Sequence, residues 1–167
     1  MTATGFRENA ATVAGRRVVA ALEARDFDGL AALFADDYVE VIQRTADTPI
    51  PRDEMLRGIR TLVEDAGGRL AIDPIATIGD HLQLHHTRIT VPAGDGDPLV
   101  IDYASVVEMA STQQLLRTEA FDLDRLDDAF ARLTERADAT STADALTVDD
   151  AALARLMAVR DEAAPPA

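Results

Sequence analysis

The hydrophobic period of this chain changes at Gly67-Gly68, and that change limits what it can fold into. Before it, apolar residues recur at helical intervals: Val13, Val18, Val19, Ala21 and Leu22 within 9–24, then Met55, Leu56, Ile59, Leu62 and Val63 behind Asp53. After it, four runs read as strands, at 70–77, 81–91, 99–109 and 113–121. Turn clusters at Gly79-Asp80, Gly94-Asp95-Gly96-Asp97-Pro98 and Ala110-Ser111-Thr112 separate them, and connections that short join antiparallel neighbours. Helices first and a mostly antiparallel sheet afterwards predict an α+β domain.

The smaller elements follow from punctuation. Asp26 breaks the first helical run, and Asp28 can cap a short helix, GLAALFADD. Residues 38–42 are β-branched and alternating enough for a strand, Pro49 and Pro51 mark a loop, and Gly67-Gly68 stops the helix behind Asp53. Residues 124–136 are helical again and 137–145 read as a polar linker. Thr147 and Asp150 resemble a capping box opening a last helix through Arg160. The expected organisation is a flexible N-terminus over 1–8, a domain over 9–125, and a helical extension over 126–167 ending in a disordered Ala-Pro tail.

Composition removes whole classes of function. Of 167 residues, 30 are acidic and 16 basic, a formal charge of −14, so phosphate backbones and anionic lipid are repelled and neither nucleic acid nor membrane is an expected partner. No cysteine is present, which excludes disulfides, thiolate nucleophiles and cysteine-bound zinc. All 16 basic residues are arginine, so lysine Schiff-base chemistry is excluded too. No apolar run reaches the length of a bilayer span and the N-terminus lacks a signal-peptide core, which makes the cytoplasm the expected location. No Gly-x-Ser-x-Gly or Walker-like sequence occurs.

The segment RVVAALEARDFDGLAALFADD, residues 17–37, closely resembles the opening helices of ketosteroid isomerase. More broadly it resembles the NTF2-like (cystatin-like) superfamily, with its SnoaL-like polyketide cyclases and limonene epoxide hydrolase. The strand RTEAFD, residues 117–122, resembles that superfamily's closing strand. The resemblance spans roughly 9–125. It implies a cone in which a curved antiparallel sheet wraps N-terminal helices around one deep apolar pocket, and a homodimer formed through the outer face of the sheet. It also tests steroid isomerisation residue by residue. The tyrosine donor position is Val18, the catalytic aspartate falls at or next to Ile42, and the protonated aspartate falls near Ala104. Valine cannot donate to an enolate and isoleucine cannot take a proton, so that mechanism is not expected.

Alternate strand residues face opposite ways, and the resemblance selects one set. It turns Tyr38, Glu40 and Ile42 into the pocket, then Gln83, His85, Thr87 and Ile89, then Asp102, Ala104 and Val106, and last Leu115, Arg117, Glu119 and Phe121, with Ile59 from the helix behind Asp53. A slip of one residue would exchange each member for its neighbour. In this phase Glu119 and Asp102 are the expected proton-transfer groups, Arg117 tunes them or binds an oxyanion, and His85 assists. Tyr38, Glu40, Ile42, Ile59, Gln83, Thr87, Val106 and Phe121 hold the substrate. Glu119 also falls where one aspartate of limonene epoxide hydrolase lies, although the Arg-x-Asp pair of that enzyme is not reproduced.

The leading expectation is a cofactor-free acid/base enzyme, a cyclase, isomerase or epoxide hydrolase, acting on a small hydrophobic oxygenated metabolite. The alternative is a non-catalytic sensor or accessory module. Arg117 and Glu119 could equally be an ion pair serving structure alone. His81, His85 and His86 do not share one face, so no metal site is expected. Tyr103 falls on the outer face in this phase, as an interface aromatic.

Overall fold

The computed structural model describes residues 5–43, 49–140 and 144–163. The first helix, α1 (Ala10–Ala24), is opened by Asn9, whose side chain accepts from the Thr12 amide while the Thr12 hydroxyl accepts from the Asn9 amide. It ends at Arg25, a left-handed residue with φ 54°. The second helix, α2 (Phe27–Ala32), is shorter and earlier than expected. Asp26, not Asp28, caps it through the Gly29 amide at 2.8 Å, and residues 34–37 join the first strand instead.

That strand, β1 (Phe34–Ile42), lies parallel to the last long strand, which makes the sheet mixed rather than wholly antiparallel. A two-residue strand, β2 (Ile50–Pro51), leads into α3 (Arg52–Glu64), which stops where Gly67 adopts φ 63° and the Gly68 amide bonds back to the Leu62 carbonyl at 2.8 Å. Four long strands follow, β3 (Arg69–Ile78), β4 (Leu82–Ala93), β5 (Gly96–Met109) and β6 (Leu115–Phe121). After a 3-10 turn come α4 (Leu126–Ala139), β7 (Leu146–Val148) and α5 (Asp150–Ala163). The sheet order is β2-β1-β6-β5-β4-β3-β7.

The two faces of this sheet carry two separate apolar clusters. Inside the curve, Val18, Leu22, Leu30, Phe34, Tyr38, Met55 and Val63 pack against Val107, Met109 and Leu115. On the other face, Ile75, Leu84, Ala104 and Val106 pack under Leu126, Ala129 and Leu133 of α4 and Ala152 and Leu156 of α5. The C-terminal helices are therefore part of the folded body. They cover part of the outer face through which pairing of two copies was expected, over Ile75, Leu84, Ala104 and Val106, while Arg88 and Val100 on that face stay exposed.

Two further expectations are corrected. Thr147 does not open the last helix. It sits in β7, where its hydroxyl meets that of Thr77 at 2.7 Å, and Asp149 caps α5 through the amides of Ala151 and Ala152. The linker expected over 137–145 gives way at its start to the last turn of α4, and 141–143 lie outside the described residues. The N-terminal segment is tied down at Arg7, whose amide donates to Thr147 and whose carbonyl accepts from Thr77. Residues 1–4 of the expected flexible segment and 164–167 of the expected tail lie outside the described residues.

Candidate functional site

Between the curved sheet, α1 and α3 lies a cavity of about 630 Å3. Its walls are mostly aliphatic: Val18 and Leu22 from α1, Met55, Ile59, Leu62 and Val63 from α3, Ile72 from β3. Polar groups enter from four strands, and pairing fixes which ones. Residues directly opposite in neighbouring strands share a face. His85 opposes Ser105, Thr87 opposes Tyr103 and Ile89 opposes Ile101. Ser105 in turn opposes Ala120, and Val107 opposes Thr118. Thr118 pairs with Glu40 and Ala120 with Ile42. All of these line the cavity, together with Tyr38.

Tyr38, Glu40, Ile42, Ile59, His85, Thr87, Ile89 and Leu115 line the cavity on the expected side, but β5 and the middle of β6 are reversed. Asp102 and Val106 of β5, and Arg117 and Glu119 of β6, lie on the opposite face, and none of them lines the cavity. Gln83 faces inward with His85 but is buried outside the cavity wall. Phe121 borders the cavity while packing in the outer cluster. Tyr103, expected outside, faces in.

A single irregularity accounts for the reversal. The hairpin turn pairs Ala93 with Gly96, and continuing that register would set Thr87 against Asp102 and His85 against Ala104. A shift between Val91 and Ala93 inserts one residue and flips β5 relative to β4. The extra residue lies in β5, where Asp97 and Pro98 stand opposite Pro92, and neither proline has an amide hydrogen for the ladder. Because β6 follows β5, Glu119 and Arg117 are turned outward with it. Proline inside a strand run is the sequence signal that could have placed Tyr103, Ser105 and Thr118 in the site.

Outward does not mean exposed for Glu119, which is 1 % accessible beneath α4. Arg117 Nε and Arg136 Nη2 each donate to its Oε1 at 2.8 Å, and Arg132 Nη1 donates to Oε2 at 2.6 Å. Burial would raise its pKa, but the hydrogen bonds from Arg117 and Arg136 and the charges of Arg117 and Arg132 outweigh it and hold it below the usual carboxylate value. Asp102 accepts from Arg88 Nε at 2.8 Å and lies 2.7 Å from His86 Nε2. Its pKa is likewise lowered, burial being outweighed by those hydrogen bonds. Both carboxylates are held as anions by arginine, which is an architecture for structure.

The cavity groups are perturbed in the opposite sense. Burial raises the Glu40 pKa. Burial also raises both phenols, and the Glu40 charge adds to the rise at Tyr38 and at Tyr103 alike, which puts the three groups in one electrostatic neighbourhood. His85 is pushed down to about 4 by burial and by His86, so its ring is neutral at physiological pH. Thr87 and Ser105 hydroxyls stand 3.4 Å apart beside it. Of the three isomerase positions, Val18 and Ile42 do line the cavity, while Ala104 is fully buried on the opposite face. Among the described residues no cluster of three histidine or carboxylate side chains suits a metal ion, and no helix is long and apolar enough to cross a membrane.

Residues 15–117 match the SnoaL-like domain. No curated protein matches the chain. Solved structures share its fold at low identity. Rv0760c of Mycobacterium tuberculosis, in complex with estradiol-17β-hemisuccinate, is 13 % identical with a TM-score of 0.58, over 70 % of this chain and 97 % of that one. The Δ5-3-ketosteroid isomerase of a Mycobacterium species is 10 % identical with a TM-score of 0.56, over 68 % and 93 %. A limonene-epoxide-hydrolase-like epoxide hydrolase of M. tuberculosis is 16 % identical with a TM-score of 0.53, over 75 % and 85 %.

Proposed function

The chain belongs to the SnoaL-like family, within the NTF2-like superfamily, and from that premise we propose that its cavity binds a small hydrophobic oxygenated metabolite and moves a proton on it without a cofactor. The observation that carries this reading is a carboxyl group with a raised pKa, Glu40, lining a mostly aliphatic cavity together with two phenols whose ionisation its charge opposes. A carboxyl displaced toward neutrality can take a proton from carbon and return it, which suits cyclase or isomerase chemistry. Tyr38 and Tyr103 keep their protons at neutral pH and can donate to an oxygen that gains charge as the proton leaves. Neutral His85 supplies a further hydrogen bond. The apolar walls support a hydrophobic ligand, in keeping with the steroid-derived ligand bound by the fold neighbour Rv0760c.

Epoxide hydrolysis draws less support, because Glu119, which falls where one aspartate of limonene epoxide hydrolase lies, faces α4, and no arginine is among the residues lining the cavity. The second reading is a non-catalytic binding module, favoured by aliphatic Val18 and Ile42 at two isomerase positions. Glu40→Gln separates the two when turnover and affinity are both measured across a panel of enones and epoxides. The expected result is turnover reduced by about 10²–10⁴ with affinity retained. Ligand binding with no turnover by the parent chain would decide for the module.

A further inference from the structure

Among the described residues, three buried side-chain polar atoms have no hydrogen-bond partner, and they come from adjacent inward positions of β4: Nδ1 of His85, and Nε2 and Oε1 of Gln83. A buried group left without a hydrogen bond keeps the full cost of its desolvation. His85 is 7 % accessible and lines the cavity, so a molecule held there is placed to supply what the ring lacks. Its ring is uncharged, and Gln83 behind it offers both a donor and an acceptor.

This unmet demand stands across the cavity from Glu40. Ile42 pairs with Ala120, Ala120 with Ser105 and Ser105 with His85. Three strand spacings amount to about 14 Å along the sheet, or roughly 10 Å once side chains reach inward from both walls. Glu40 is the next inward residue to Ile42. The charged residues lining the cavity are Glu40 and Glu54, with no cation among them, so no lining charge offsets the desolvation of an anionic ligand.

We propose that the ligand is an uncharged hydrophobe with two oxygen functions roughly 10 Å apart, one met by Glu40 and the tyrosines and the other, a hydroxyl, by His85 on the opposite wall. A hydroxyl both donates and accepts, so it satisfies either tautomer of the ring and can extend to the Gln83 amide through water. The proposal rests on the pocket reading above and adds the polarity and span of what fills it.

Calorimetric titration of the full chain with three rigid probes tests it: biphenyl-4,4′-diol, 4-phenylphenol, which lacks the second hydroxyl, and 4′-hydroxybiphenyl-4-carboxylate, which replaces it with an anion. One hydrogen bond to a buried group predicts that the parent binds the diol about three- to tenfold more tightly than the monophenol, with the carboxylate weakest. In His85→Phe the diol loses its advantage over 4-phenylphenol, whereas Glu40→Gln preserves that advantage. Equal affinity of the parent for diol and monophenol, or a carboxylate that binds best, overturns the proposal and leaves the pocket reading standing. No binding by any probe overturns both.

Discussion

Glu40 and Glu119 sit on neighbouring strands of one sheet and live in opposite worlds. Glu40 faces an aliphatic cavity, where burial alone acts on it and raises its pKa. Glu119 faces α4, where three arginines turn the cost of burial into a held anion. Removing the carboxylate strands those arginines, each about 30 % accessible, so water recovers part of the loss. Glu119→Gln is therefore expected to destabilise by about 2–3 kcal/mol in urea unfolding, below the cost of breaking a fully buried pair, and to leave ligand affinity unchanged. Asp102→Asn is expected to cost about 1 kcal/mol and to leave turnover within about twofold, since its partners are Arg88 and His86 on the far side of the sheet. Loss of turnover in Asp102→Asn would return the chemistry to that face.

At the scale of elements, the C-terminal helices decide what the outer face of the sheet can do. Leu133 of α4 is fully buried against it, and Leu156 of α5 nearly so. Truncating either to alanine is expected to cost about 2–4 kcal/mol, measured by the same unfolding curves. A cost below about 1 kcal/mol would mean the helices sit loosely. The helical and strand segments were legible in the sequence because their periods are long and regular: α1, α3 and the four long strands all fall where the apolar spacing puts them. Short features were not. β7 is three residues long, too brief to show alternation, and α2 was misplaced because two aspartates compete to cap it and only Asp26 reaches the Gly29 amide. The candidate site was half legible. The resemblance chose the right face on β1 and β4, but the parity of Asp102, Arg117 and Glu119 depended on the bulge at the β4–β5 turn, and an inserted residue inverts strand parity without altering the hydrophobic pattern on a sheet packed on both faces.

For the whole molecule, these groups set how stability responds to acid, and the signs differ. His85 has a folded pKa of about 4 against 6.5 for a free histidine, so the unfolded chain takes up the proton first. Stability is full above pH 6.5 and declines toward pH 4, by about 3 kcal/mol. His85→Phe is expected to flatten that limb of the urea midpoint against pH. Glu119 and Asp102 have depressed values, so their contribution is present above the ordinary carboxylate range and is lost as pH falls through their lowered pKa values. Glu40 works the other way. Its raised value favours the protonated form, and its stabilisation is lost as pH rises through the folded pKa, which makes Glu40→Gln stabilising at neutral pH. The two carboxylates thus give the most direct test of which face holds the chemistry. Carboxyl-carbon NMR titration should place the Glu40 midpoint above 4.5 and that of Glu119 below it, with ligand moving Glu40 alone. A Glu40 midpoint at or below 4.5, or a ligand that moves Glu119 instead, would contradict the account.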